Sequence, residues 1–435
     1  MKFYNRENEL DLLRLQTDRM QKSSRMTVII GRRRIGKTRL ILKSLNENSD
    51  LYFFVAKKSE QLLCEEFTEE ARSKGISVFG EIRHFKDLFE LLMVAAKQHS
   101  FTLVIDEFQE FYSINPAIFS EMQNIWDRHK DESSINLILS GSIYTMMKKI
   151  FENSKEPLFG RADEKIYLQA FDVNTLKEIM HDNYPQYTPK DLLAFYIFTG
   201  GVAKYVEILT EKKALSYQKM RDEFFKPNSY FLEEGKNMLI EEFGKEYATY
   251  FSILSLIASS KTSRTEMESI LSKNIGGYLD KLEREYSLIK RVKPIMAKPG
   301  SKTQKYLIHD NFLNFWFRFI FKYKSSVEIG NFKYLRNIVD RDFDTYSGRM
   351  LEKYFIEKLS RENNFTEIGT YWERGNQNEI DIVAVDKLNR KVLFVEVKLQ
   401  KRNINIELLK LKSQKLLHHF RDYSVEYKGL SLEDM

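Results

Sequence analysis

The first residues able to do chemistry are a lysine behind a glycine-rich turn and two acids at the end of an apolar run. The segment GRRRIGKT at residues 31–38 fits the spacing G-x-x-x-x-G-K-[ST]. It follows a strand-like run, TVII at 27–30, and opens an apolar-periodic helix through Leu40, Ile41, Leu42 and Leu45. Glycine at both ends lets the backbone curl so that its N–H groups point inward, and the helix start adds positive potential. Gly31, Arg32, Arg33, Arg34, Ile35, Gly36, Lys37 and Thr38 are therefore predicted to cradle a nucleotide's phosphates. Lys37 would reach the β- and γ-phosphates, and the Thr38 hydroxyl would sit on Mg²⁺. The second element is FTLVIDEFQE at 101–110, in which Asp106 and Glu107 end an apolar strand. Beside a phosphate loop, Asp106 is expected to order the Mg²⁺ shell with Thr38, and Glu107 to polarise the attacking water. The residues after the acid strand contain no Asn-Lys-x-Asp run, so ATP is expected in preference to GTP.

A second set lies further on. Residues 375–385 (GNQNEIDIVAV) and 392–398 (VLFVEVK) read as two strands joined by a turn at 386–390. Alternation puts Glu379, Asp381 and Val383 on one face, and Phe394, Glu396 and Lys398 on one face of the return strand. If Asp386 pairs with Lys391, the same register sets Asp381 opposite Glu396, with Cβ atoms about 5 Å apart. Opposed carboxylates repel unless a divalent cation lies between them, so both are expected metal ligands, and removing one should leave the fold intact or firmer. Lys398 would orient or activate a water at that metal. Glu352 lies on a helix predicted over residues 347–359, with Met350, Leu351, Tyr354, Phe355 and Leu359 as its apolar positions.

The elements that must carry these groups are legible in outline. A short amphipathic helix is expected within residues 1–15, strands at 51–55, 135–139 and 165–169, and helices through Leu62–Ala71 and about 85–97. The strand at 51–55 intervenes between loop and acid strand. Ser140 or Ser142, at the end of the fourth strand, would sense the γ-phosphate or serve as ordinary turn residues. Arg161 would stabilise phosphoryl charge, in cis or from a neighbouring subunit of a homo-oligomer, or make a surface salt bridge.

These motifs, together with FYNRENEL at 3–10, LFGR at 158–161 and TGG at 199–201, resemble the prokaryotic ATPase family described from archaea. Its members are AAA-like ATPases, distantly related to signalling ATPases and origin-recognition proteins. The resemblance implies a P-loop ATPase domain over 1–170, a helical lid over 171–234, a winged helix over 235–320 and a nuclease-like domain over 321–435. Where the family's lid motif reads Gly-Gly-x-Pro, this chain has Ala203 in the proline position. The C-terminal constellation is similar to the PD-(D/E)xK nucleases, whose four polar positions would fall on Glu352, Asp381, Glu396 and Lys398. The implied fold class is α/β: a parallel-sheet AAA-like ATPase with a lid, a winged helix and a small α/β nuclease-like domain.

In the middle segment the helix 278–288 and the hairpin 288–308 carry Lys281, Arg284, Lys290, Arg291, Lys293, Lys298, Lys302 and Lys305. That pattern suits DNA in the major groove, with protein docking as its alternative. A basic helix follows the second acid set, with Leu408, Leu409, Leu411, Leu416 and Leu417 expected inside and His418 and His419 on different faces.

The bulk numbers agree. The 435 residues carry 69 basic and 62 acidic side chains, a formal charge of +7 and an isoelectric point of about 9.0, a balance that suits a nucleic-acid partner without requiring one. Cys64 is alone, which excludes an intrachain disulfide and a cysteine zinc cluster. No apolar run reaches membrane-spanning length and the first residues are too charged for a signal peptide, so a cytoplasmic protein without a membrane partner is expected. The aromatic run at 312–323 is interrupted by Arg318 and reads as a buried helix.

Overall fold

The computed structural model describes residues 2–298, 300–301, 303–362, 364–373, 375 and 377–435, with the Glu241 side chain left aside. They form two compact units, one of residues 4–170 and one of residues 171–435 together with the N-terminal residues up to 3.

The first unit opens with α1 (Glu7–Arg19), β1 (Arg25–Ile30), α2 (Lys37–Ser44) and β2 (Leu51–Phe54). It continues through α3 (Glu60–Ser73), α4 (Phe85–Ala95), β3 (Phe101–Asp106), α5 (Phe111–Ile114) and α6 (Ile118–His129), and closes with β4 (Ile135–Gly141), α7 (Tyr144–Glu152) and β5 (Glu164–Tyr167). The five strands make one parallel sheet in the order β2-β3-β4-β1-β5. Continuous apolar runs in β1, β3 and β4 suit strands covered on both faces, and these three are almost wholly buried. In space β4, not the strand near residue 51, lies between the loop strand β1 and the acid strand β3; β2 is the sheet edge. A phenylalanine-rich core holds α3, α4 and α5 against the sheet, with Phe53 stacked on Phe67 at 4.3 Å and Phe85 tilted against Phe111 at 4.7 Å.

The second unit begins with α8 (Val173–Asn183), α9 (Pro189–Thr199), α10 (Ala203–Glu211), α11 (Tyr217–Phe224) and α12 (Phe231–Phe243). Next come α13 (Tyr247–Ala258), α14 (Arg264–Leu271), α15 (Gly276–Arg284) and an antiparallel pair, β6 (Ile289–Val292) with β7 (Lys305–Ile308). Ser263 caps α14, accepting from the Glu266 N–H. α16 (Asn311–Phe319) is the buried aromatic helix: Trp316 packs where a Cβ on Gly235 would approach it to 2.2 Å, and its indole donates to the Leu232 carbonyl.

After α17 (Lys324–Glu328), the helix foreseen for 347–359 is the second half of a much longer α18 (Phe332–Arg361). The C-terminal sheet has the order β11-β10-β9-β8, from β8 (Glu367–Tyr371), β9 (Ile380–Asp386), β10 (Lys391–Val397) and β11 (Ser424–Leu430). Only its central hairpin is legible in the sequence. Lys391 pairs with Asp386, as the turn implies, and the register runs unbroken to Val395 with Ile382. α19 (Ile406–Leu417) covers one face through Leu409 and Leu416; Leu408 and Leu411, expected inside, are exposed. His418 and His419 do not diverge, because the chain tightens into a 3₁₀ turn there and their ring centroids come within 3.8 Å.

Candidate nucleotide site and C-terminal acidic cluster

Gly31 follows β1 directly, and a Cβ there would come within 3.0 Å of the Leu168 carbonyl oxygen. Arg34 and Gly36 both take left-handed backbone, φ 68° and 99°, and α2 then starts at Lys37. No side chain caps α2 and its first turn carries no acid, so its N-terminal N–H groups remain suited to an anion. The Lys37 ammonium is buried, donating to the carbonyls of Gly31 at 2.6 Å and Arg32 at 3.0 Å. Burial lowers its pKa to about 8, against the opposing pull of Glu107 and Asp106. Ile35 is buried beneath the loop, and the Arg32 guanidinium lies 5.7 Å from the Tyr144 ring centroid.

Thr38 and Asp106 come together as expected: the threonine hydroxyl donates to Asp106 Oδ2 at 3.0 Å. Two hard oxygen donors beside a buried ammonium fit the Mg²⁺ complex of a nucleotide. A residue the sequence did not single out joins them. Tyr52, on the edge strand, donates its phenol to the same Oδ2 at 2.6 Å. Register explains it: Tyr52 pairs with Val104, so its side chain shares a face with Asp106 two residues on. Burial and the Asp106 carboxylate hold that phenol protonated far above its ordinary range.

Glu107 leaves the strand with left-handed backbone, φ 55°. Its Oε2 accepts from the Ser142 hydroxyl at 2.7 Å and from the Gln109 amide at 2.5 Å. Gln109 is likewise a residue the sequence reading passed over, although it stands two positions beyond the acid pair. Ser140, the other sensor candidate, is buried within the sheet, and its hydroxyl has no partner among the described residues. Arg161 takes the salt-bridge alternative: its guanidinium donates to Asp127 at 2.9 and 3.3 Å and to the Phe159 carbonyl at 3.0 Å.

In the C-terminal sheet, Asp381 Oδ2 accepts from the Val397 N–H at 2.7 Å and lies 3.4 Å from the Lys398 ammonium. Lys398 is also 3.6 Å from Glu396 Oε1, so one lysine lies within ion-pair distance of both acids. Glu396 is buried; Lys412 of α19 approaches its Oε1 at 3.8 Å, and the Asn405 N–H donates to its Oε2 at 2.6 Å. Burial, and then the Asp381 charge, push the Glu352 carboxyl up from its usual range to about 8. Burial raises Asp381 too, against the Val397 N–H and Lys398. Among the described residues no three His, Cys, Asp or Glu side chains are already arranged to hold a metal ion. Both acids accept from backbone N–H groups, which weighs against the expectation that losing one leaves this fold intact or firmer.

The basic hairpin is less exposed than its sequence suggests. Lys290 is half-buried, and its desolvation lowers its pKa. Arg291 pairs with Glu283 and Asp280, Arg284 with Asp280, and Lys281 with Glu246. Lys305 pairs with Glu379 at 3.0 Å and lies over Trp372, while Ile295 joins the core of the C-terminal sheet and its N–H donates to the Thr370 carbonyl. Lys302 lies outside the described residues.

A parallel sheet with a phosphate loop after its fourth-placed strand and an acid at the end of β3 defines the class, a P-loop ATPase domain. Residues 3–209 match the family described as an ATPase domain predominantly from Archaea, and residues 316–414 match one described as archaeal and bacterial proteins of unknown function. The chain is 31% identical over 442 residues to the uncharacterized protein MJECL04 of Methanocaldococcus jannaschii, covering 99% of this chain and 93% of that one. The chain belongs to this archaeal-type ATPase family. The Walker-type ATPase PABY2304 of Pyrococcus abyssi has a similar fold, with a TM-score of 0.54 and 16% identity over 72% of this chain and 96% of its own. The Aeropyrum pernix ORC2 protein, solved as ADPNP and ADP complexes, aligns over 78% of this chain and 95% of its own, with 15% identity and a TM-score of 0.49. Among the described residues no helix is long and apolar enough to cross a membrane.

Proposed function

We propose that the chain binds and hydrolyses ATP, and that the observation carrying this is the convergence of Lys37, Thr38, Asp106 and Glu107 at the ends of β1 and β3. The N–H groups of residues 31–38 and the Lys37 ammonium hold the phosphates, and the ammonium exchanges two carbonyl acceptors for phosphate oxygens. Thr38 and Asp106 would hold Mg²⁺, which supplies charge neutralisation at the phosphates. Glu107 takes a proton from the attacking water; the water oxygen bonds to the γ-phosphorus and the bond to the bridging oxygen of ADP breaks. Lys37→Ala is expected to abolish nucleotide binding. Glu107→Gln is expected to keep binding and to slow turnover by about 10²-fold or more. Undiminished turnover in Glu107→Gln would remove Glu107 from the mechanism.

The domain limits near residues 171, 235 and 321 belong to the same reading, with α13 to α15 and the β6–β7 pair as a winged helix. For the C-terminal domain, the gathering of Asp381, Glu396 and Lys398, with Glu352 beside them, supports a nuclease-like module that acts on DNA with a divalent cation held by the three carboxylates. The regulatory alternative, a switch ATPase whose C-terminal domain only binds partners, draws support from Lys398, which already lies within ion-pair distance of both acids, and from the pairing of the hairpin's basic residues. Divalent-dependent nicking by the full chain, lost in Lys398→Ala with ATPase activity retained, separates the two.

A further inference from the structure

Glu107 is held in an unusual way. Its backbone occupies the left-handed region, which a side chain bearing a Cβ adopts at a cost, and both of its protein donors converge on the single oxygen Oε2. Among the described residues Oε1 receives no hydrogen bond. A carboxylate only accepts, so the Gln109 atom beside it is the amide nitrogen. That assignment leaves Gln109 Oε1 buried with no donor among the described residues, an arrangement that folding alone disfavours. The seat for this amide is made by the end of β4: a Cβ on Gly141 would lie 2.1 Å from Gln109 Oε1 and 2.4 Å from Met147 Sδ. A side chain at 141 would therefore push Gln109 off Glu107, while Ser142, the next residue, supplies the second donor from the same strand end.

We propose that Gln109, seated against Gly141, and Ser142 form a two-donor clamp that fixes Oε2 of Glu107 and leaves Oε1 to take the proton of the attacking water. Both are positioning residues, and the inference rests on the reading of Glu107 as the base. Two neutral donors on one oxygen fix the plane of the carboxylate, so the free oxygen is pre-oriented without a charge competing for the proton.

The test is single-turnover ATP hydrolysis by the full chain, with the affinity for a fluorescent ATP analogue measured alongside. The proteins compared are wild type, Glu107→Gln, Gln109→Met, Ser142→Ala, the Gln109→Met/Ser142→Ala double variant, Gly141→Ala and Ser142→Thr. Each single donor loss is expected to slow the chemical step by about 10-fold and the double by about 100-fold, with nucleotide affinity held within about twofold. Ser142→Thr, which keeps the hydroxyl, restores the wild-type rate. Gly141→Ala, which removes no donor, reproduces the Gln109→Met defect. Equal rates in wild type and Glu107→Gln overturn the assignment of the base. A slow Glu107→Gln beside a double variant at wild-type rate overturns the clamp alone. A double variant that loses nucleotide affinity in proportion to its rate, with no rescue by Ser142→Thr, makes these residues structural and also overturns the clamp.

Discussion

The Tyr52 phenol donates to Asp106 Oδ2 at 2.6 Å, on the oxygen that also accepts from Thr38. An edge-strand side chain thereby orients the acid that, on the proposed reading, shares a metal shell with the loop threonine. Tyr52→Phe keeps the ring and removes that donor. The Mg²⁺ concentration for half-maximal ATPase activity is expected to rise by about 10-fold, as for loss of a group behind a metal ligand. An unchanged Mg²⁺ requirement would reduce Tyr52 to packing.

Lys37 gives a pH signature. Burial lowers its ammonium to about 8, and a bound triphosphate raises it again. Nucleotide binding therefore takes up a proton above that pH. Affinity is expected to be flat below about pH 8 and to weaken by about tenfold per pH unit above it. For the free protein the sign is opposite: the unfolded chain binds more protons between the two pKa values, so the Lys37 contribution to stability rises with pH in that window. Affinity that stays flat between about pH 7 and about pH 9.5 would contradict the burial effect.

At the C-terminal cluster Lys398 lies within ion-pair distance of Asp381 and Glu396, and Lys412 within that of Glu396. Asp381→Ala leaves the Val397 N–H without its acceptor, and a loss of about 1–3 kcal/mol is expected on thermal or urea unfolding. Lys398→Met leaves the acids facing one another and should also destabilise, but here added Mn²⁺ should restore part of the loss if the acids bind it. Calorimetric titration of Mn²⁺ into the full-length wild type, Lys398→Met and Asp381→Ala proteins decides the matter. Equal heats from all three would end the metal reading.

Lys290 stands as a DNA-facing residue in the sequence and as a half-buried one in the structure. Burial penalises its charged form, and the neighbouring Lys353 is pushed down to about 8 chiefly by burial and then by the Lys290 charge. Lys290→Met is therefore expected to raise the melting temperature by about 2–4 °C. It should leave any duplex-DNA affinity unchanged, whereas an exposed phosphate contact would lower the salt slope by about one. A drop in both quantities would place Lys290 at the nucleic-acid surface.

Local signals were enough for a good part of this protein. Gly31 and Gly36 around the loop, the apolar runs of β1 and β3, and the acids after the second run identify a phosphate loop with a catalytic strand, because each depends on neighbours within a few residues. The hairpin of β9 and β10 was legible down to its register, since the tight turn at Asp386 to Lys391 sets every later pair. Beyond that reach the sequence was silent or wrong. Strand β8 is half-buried throughout, so no apolar alternation announced it. Strand β11 does alternate, Val425 and Tyr427 packing on the core between Ser424, Glu426 and Lys428, a short signal that was passed over. Tyr52 reaches the site only because strands distant in sequence lie side by side, and Gln109, though a near neighbour of Glu107 in sequence, owes its seat to Gly141 at the end of β4. The basic hairpin read as a nucleic-acid surface because sequence counts charges and cannot see their partners; packing against α15 and the C-terminal sheet neutralised or buried much of it. Residue type and short spacing determined what chemistry this chain can attempt. That Ser142 reaches Glu107, and that Lys412 of α19 approaches Glu396, was decided by long-range packing, where the cost of an unpartnered buried group selects among arrangements that the sequence leaves equal.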